Sequence, residues 1–153
     1  MNNDKVISIL NDLVETSRDG QDGFKEAAEN ATSPELKRFF ADASLERARF
    51  VGELQRQVRS LGGDPEKSGS TAGALHRTWI NVKGTLTGRD DESILAEAER
   101  GEDSAVKAYE DALKKALPAD CKTMVETQSR EVKQAHDRVK RMRDARSATA
   151  GSE

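Results

Sequence analysis

Apolar residues recur at alternating three- and four-residue spacing along most of this chain, and helix-breaking clusters interrupt them at only a few points, so the chain is constrained to fold as a small number of long amphipathic helices. After Asn2 and Asn3 the first run places Val6, Ile9, Leu10, Leu13, Val14, Ser17, Phe24, Ala27, Ala28 and Ala31 on one face. It gives way to Ser33-Pro34-Glu35: an N-cap, a proline at the first helical position and an acid at the positive end of the next helix dipole. The second run turns Leu36, Phe39, Ala43, Phe50, Leu54, Gln57 and Leu61 inward, leaves Phe40, Val51 and Val58 off its main stripe, and stops at Gly62-Gly63-Asp64-Pro65. A loop as short as the first predicts an antiparallel pair. A third helix, capped by Asp90 or Asp91, carries Leu95, Ala98, Glu102, Ala105, Val106, Tyr109, Leu113 and Ala116 until Pro118. The fourth carries Val125, Gln128, Val132, Ala135, Val139 and Met142.

Between the second and third helices the stretch from Glu66 to Gly73 is rich in Ser, Gly and Thr and reads as loop, followed by a short helix with Leu75, Trp79, Val82 and Leu86. The reading is therefore an all-α chain, an antiparallel four-helix bundle with a long crossover carrying a short extra helix. Residues 1–146 form the bundle and 147–153 a flexible tail of small and polar residues. A length of 153 residues supports one self-sufficient core. That core is thrifty, because only 35% of residues are hydrophobic and 35% are charged, a balance that suits one apolar stripe per helix. The net charge of -3, with both signs interspersed, gives no bias toward nucleic acid or an anionic membrane. Cys121 is the sole cysteine, so no intramolecular disulfide forms and a reducing compartment fits. With neither a signal-like start nor a membrane-length apolar run, the expected location is the cytoplasm.

Two helical hairpins joined by a long crossover is the connectivity of ferritin-like bundles. The chain resembles small bacterial ferritin-like four-helix-bundle proteins of unassigned function, distant from bacterioferritin and rubrerythrin. The likeness rests on Asp19-Gly20 with Gly23-Phe24, Glu46-Arg47 followed by Leu61-Gly62-Gly63-Asp64-Pro65, Leu75-His76-Arg77-x-Trp79, and Arg100-Gly101-Glu102-Asp103 ahead of Tyr109. The wider superfamily holds two irons with a glutamate on each of two helices and a Glu-x-x-His pair on each of the others. Carried over by counting from the aromatics and the Leu-Gly turn, the resemblance places Ser17, Glu102, Arg47 and Phe50 at ligand positions. Only Glu102 is a ligand type there, and an arginine cannot ligate a cation. Glu131-x-x-Gln134 points outward from the fourth helix, while His76 and His136 lie away from the centre.

Glu102 sits in the middle of an apolar face, where an unpaired carboxylate is too costly to leave alone. Arg47 is within half a turn of the second helix's inner face, and Gly20 leaves room for a large side chain. The two are expected to form a buried ion pair, with Glu46, Gln128 or Tyr109 completing its hydrogen bonds. His76, Arg77 and Trp79 offer a pocket in the crossover, without a nucleophile-base pair or phosphate loop beside them. From Arg130 to Arg146 there are seven basic and three acidic residues, but the bases scatter around the helix without interleaved aromatics, so nucleic-acid binding is not expected. The functional expectation is a non-enzymatic bundle without cofactor or metal, acting as an interaction or stress-associated protein toward a protein partner. The resemblance implies a homodimer through helices one and two. The competing reading is a metal-dependent oxidase or iron-handling protein, and a third is a small-ligand carrier.

Overall fold

A computed structural model describes residues 2–65 and 91–151, with side chains through residue 146. Its described residues form four α-helices and no strand: α1 (Asn3–Asn30), α2 (Pro34–Ser60), α3 (Asp91–Leu113) and α4 (Ala119–Gly151). The short crossover helix and the His76, Arg77 and Trp79 pocket lie outside the described residues.

Local chemistry sets the helix ends. The Asn2 side chain accepts from Lys5 N at 2.9 Å, and Ser33 Oγ accepts from Leu36 N at 3.4 Å directly before Pro34, so two starts are satisfied by caps. At the end of α2, Gly62 takes φ +83°, and Gly63 N reaches back to Val58 O at 2.9 Å, a left-handed terminus that glycine adopts without side-chain strain. Gly63 is needed for a second reason. A Cβ there would stand 2.8 Å from the Ile7 side chain, because the chain leaving α2 lies against the start of α1. Asn11, buried on α1, ties the same place by donating its Nδ2 to Asp64 O at 3.1 Å. α1 continues unbroken through Gly20 and Gly23, and the backbone of α4 stays helical past Arg146 to Gly151.

α1 packs chiefly on α2 and α3 on α4; the two hairpins join mainly through α1 and α3, whereas α2 and α4 scarcely meet. The order corrects the inner face expected for α2. Phe40, Val51 and Val58 are buried, while Phe39, Gln57 and Leu61 are only partly covered. α2 has rotated toward α1, its nearest neighbour, so that Phe40 stacks on Phe24 with ring centroids 6.0 Å apart. A similar turn buries Ile94, Gly101 and Ala112 on α3 and leaves Val106 and Leu113 half-covered and Ala116 exposed.

Of the two caps expected for α3, Asp90 lies outside the described residues. Asp91 is the helix's first residue, and its carboxylate accepts from Thr32 N (2.8 Å), Thr32 Oγ (2.9 Å) and Ser33 N (3.0 Å). The start of α3 is thereby fastened to the turn between α1 and α2, and α3 runs antiparallel to α1. Burial raises the Asp91 pKa, but the hydrogen bonds from Thr32 and Ser33, with Arg146 nearby, outweigh it and hold the carboxyl below its usual range.

Candidate functional site: a buried polar layer

The apolar interior falls into two clusters. One, around Val6, Leu10, Leu54, Tyr109 and Val125, lies toward the α1 start; the other, around Phe24, Phe40, Ile94, Leu95 and Val139, lies toward the α1–α2 turn. Arg47 and Glu102 lie where the two clusters meet, and Ser17, Tyr109 and Gln128 add buried polar groups on the side of the first.

Arg47 of α2 and Glu102 of α3 form an ion pair there through Nη2 and Oε2, with side-chain exposures of 1% and 0%. The guanidinium is placed by its surroundings as well as its partner. Its Cζ lies 5.3 Å from the centroid of Phe24 and 5.9 Å from that of Phe50, within cation–π range. On its other side is Gly20: a Cβ at that position would be 2.7 Å from Arg47 Nη1. Burial favours the neutral form of Arg47, but the Glu102 carboxylate beside it more than offsets this, so its pKa rises and the cation is held. The pairing is through one contact. Arg47 Nε and Glu102 Oε1 are both buried and neither has a hydrogen-bond partner among the described residues.

A second line of bonds crosses the bundle beside the pair. Tyr109 of α3 donates its hydroxyl to Gln128 Oε1 of α4 at 2.7 Å and, with that proton committed, receives the Ser17 hydroxyl of α1 at 3.1 Å. Gln128 Nε2 donates to Glu53 Oε1 of α2 at 2.9 Å. One residue from each helix thus takes part, and every donor points toward Glu53. Burial drives the Tyr109 pKa upward, so the phenol stays protonated and remains a donor.

The structure therefore brings Arg47 and Glu102 together and joins Tyr109 to Gln128, but it separates the two sets: neither Tyr109 nor Gln128 bonds to the pair. Glu46 stands apart too, half-buried beside a groove of about 500 Å³ between α2 and α4, its pKa raised by burial and then by Glu131. Sequence reasoning missed Glu53, the acceptor that ends the chain of donors. The signal was its position four residues after Arg49, whose Nη1 it binds at 2.9 Å.

The ligand positions implied by the ferritin-like resemblance can be tested against this geometry. Ser17 is committed to Tyr109, Phe50 is apolar, and the Arg47 guanidinium already supplies the positive charge opposite Glu102. Among the described residues no group of three or more His, Cys, Asp and Glu side chains is placed to hold a metal. His136 binds Asp103 of α3 at 2.6 Å and Asp137 at 3.0 Å, at the edge of the bundle. Glu131 pairs with Arg49 at 2.5 Å on the outside. Cys121 is buried, and burial raises its thiol pKa, which disfavours the reactive thiolate. The described residues do not fit a pair of metal ions.

The class of protein is thus an all-α four-helix bundle whose core holds a buried ion pair and a line of hydrogen bonds that draws on all four helices. Over residues 5–115 the sequence matches the family described as Domain of unknown function (DUF2383), and the chain belongs to that family. The match takes in α1, α2 and α3, including Ser17, Arg47, Glu53, Glu102 and Tyr109, and ends before α4, which supplies Gln128. No curated protein matches the chain. No helix among the described residues is long and apolar enough to cross a membrane.

Proposed function

We propose that this protein is a non-enzymatic ferritin-like helical bundle of the cytoplasm, an interaction or stress-associated protein in which an ion pair has taken the place of a di-metal centre. The observation that carries the reading is the buried salt bridge between Arg47 and Glu102, two residues that the ferritin-like resemblance puts at ligand positions. A guanidinium there acts as a tethered cation. It satisfies one carboxylate, repels a free metal by like charge, and has no open coordination position for substrate or oxygen. The work left to the layer is structural. Polar partners that match in only one alignment penalise helix slippage, so the layer fixes the register of four otherwise interchangeable apolar stripes. Function then lies on the outer faces, in contact with another protein, rather than in the core.

Elemental analysis of protein purified without chelators tests the reading, together with ferrous-ion oxidation by the same sample. Less than about 0.1 iron, manganese or zinc per chain and no turnover are expected, because a buried carboxylate with a single acidic neighbourhood binds divalent metals poorly. Two metals per chain with ferroxidase activity would sink the reading in favour of an iron-handling enzyme.

A further inference from the structure

The outward face of α2 carries a leucine that nothing among the described residues covers. Leu45 is 70% exposed, the one large apolar side chain so placed among the described residues. Gly52 follows two helical turns later on the same face. A Cβ at Gly52 would meet nothing nearer than Arg56 Nη1 at 4.0 Å, so no packing within the described chain asks for glycine, a poor helix former, at this point. Ala41 and Ala48 share the face, and the whole strip is low enough for another helix to approach closely.

The charges beside this strip complement one another across a two-fold axis. Asp42 and Arg56 flank it, about 21 Å apart along the helix, and neither has an ion-pair partner among the described residues. The midpoint of Asp42 and Arg56 falls at residue 49, and that of Leu45 and Gly52 falls between residues 48 and 49. The two centres coincide within one residue. An axis passing there, perpendicular to α2, lays each Leu45 on the other copy's Gly52 and sets each Asp42 beside the other copy's Arg56. Arg49, which the same axis brings near its own copy, is already neutralised by Glu53 and Glu131.

We propose that this strip is a self-association surface and that two copies of the chain pair through an antiparallel α2–α2 contact, with Leu45 seated on Gly52 and two Asp42–Arg56 ion pairs at the flanks. The proposal goes beyond the reading of the core and is independent of it, since oligomeric state decides one and metal content the other.

The test is sedimentation equilibrium over about 1–200 µM, the range suited to one apolar contact per copy flanked by exposed ion pairs. The parent chain is expected to show a concentration-dependent dimer, and Leu45→Lys to raise its dissociation constant at least about tenfold. Asp42→Arg alone and Arg56→Asp alone each oppose like charges twice in their own dimers and should be monomeric. Mixed in equal amounts, these two variants become complementary at both flanks, and the dimer should return. All three positions are exposed or partly exposed, and unchanged helicity by circular dichroism verifies that the variants are folded. A parent chain that stays monomeric throughout, reversal variants that dimerise like the parent, or a mixture that fails to recover association would each overturn the proposal.

Discussion

Arg47 and Arg49 stand two residues apart on α2 and each grips a glutamate, yet one is 1% exposed and the other 48%. Arg47 faces the interior, held between two phenylalanine rings, with one carboxylate and an Nε that finds no acceptor among the described residues. Arg49 lies over the seam between α2 and α4, where it binds two carboxylates, Glu53 at 2.9 Å and Glu131 at 2.5 Å. Counting contacts would rank Arg49 as the stronger anchor. Physical chemistry ranks them the other way when one partner is removed, because water replaces what Arg49 loses and nothing replaces what Arg47 loses. Its two unsatisfied atoms make the buried pair a costly way to fill a core, and polar partners that match in one alignment penalise the others.

The sharpest way to break this comparison is to remove one buried partner and then both. Arg47→Met leaves Glu102 with an uncompensated charge in an apolar interior, and chemical denaturation should show a loss of about 3–5 kcal/mol. Arg47→Met with Glu102→Leu removes both charges and both orphaned atoms, so it should recover most of that loss and match or exceed the parent. A coupling energy near zero in this cycle would mean that the pair contributes nothing through its contact.

Asp91 gives the next largest effect, because it carries three bonds at the junction of α1, α2 and α3. Asp91→Ala strands the N–H groups of Thr32 and Ser33 and should cost about 1–3 kcal/mol at neutral pH. Its pH dependence has a definite sign. The folded-state pKa is lowered, so the stabilisation is fully present above the ordinary carboxylate value of about 3.9 and fades as pH falls through the lower folded value. The stability difference between Asp91→Ala and the parent should accordingly shrink in titrations carried below about pH 4.

A change of sign sharpens the case for Gly20. In the parent, Gly20→Ala drives a methyl into the Arg47 guanidinium and should destabilise by about 1 kcal/mol after the helix-propensity gain is counted. In the Arg47→Met, Glu102→Leu background the obstruction is gone, and the same substitution should stabilise by about 0.5–1 kcal/mol. Destabilisation of equal size in both backgrounds would show that Gly20 answers to something other than Arg47. The smallest effect belongs to the surface arginine. Arg49→Ala should cost no more than about 1 kcal/mol, and salt should reduce that cost further, in contrast to any change at Arg47.

By itself the sequence determined the four described helices and the breaks that bound them. Ser33-Pro34 and Gly62-Gly63 act on their own neighbours, so capping and left-handed backbone are legible locally. The contact of Arg47 with Glu102 was within reach for a related reason: a carboxylate in an apolar stripe requires a partner, and few candidates face inward. What only the tertiary structure decided is which edge of each stripe turned in and where each polar atom ended. Phe39 and Phe40 are equally apolar, and the rotation that buries Phe40 is set by the tight α1–α2 packing. Asp91 looks like a cap of its own helix until Thr32 and Ser33 are brought against it from 58 or 59 residues away. Tyr109 and Gln128 could serve the ion pair or one another, and Glu53 settles the matter by accepting the last hydrogen from a helix 75 residues distant. Such choices depend on pairwise distances between helices, which periodicity along one helix does not encode.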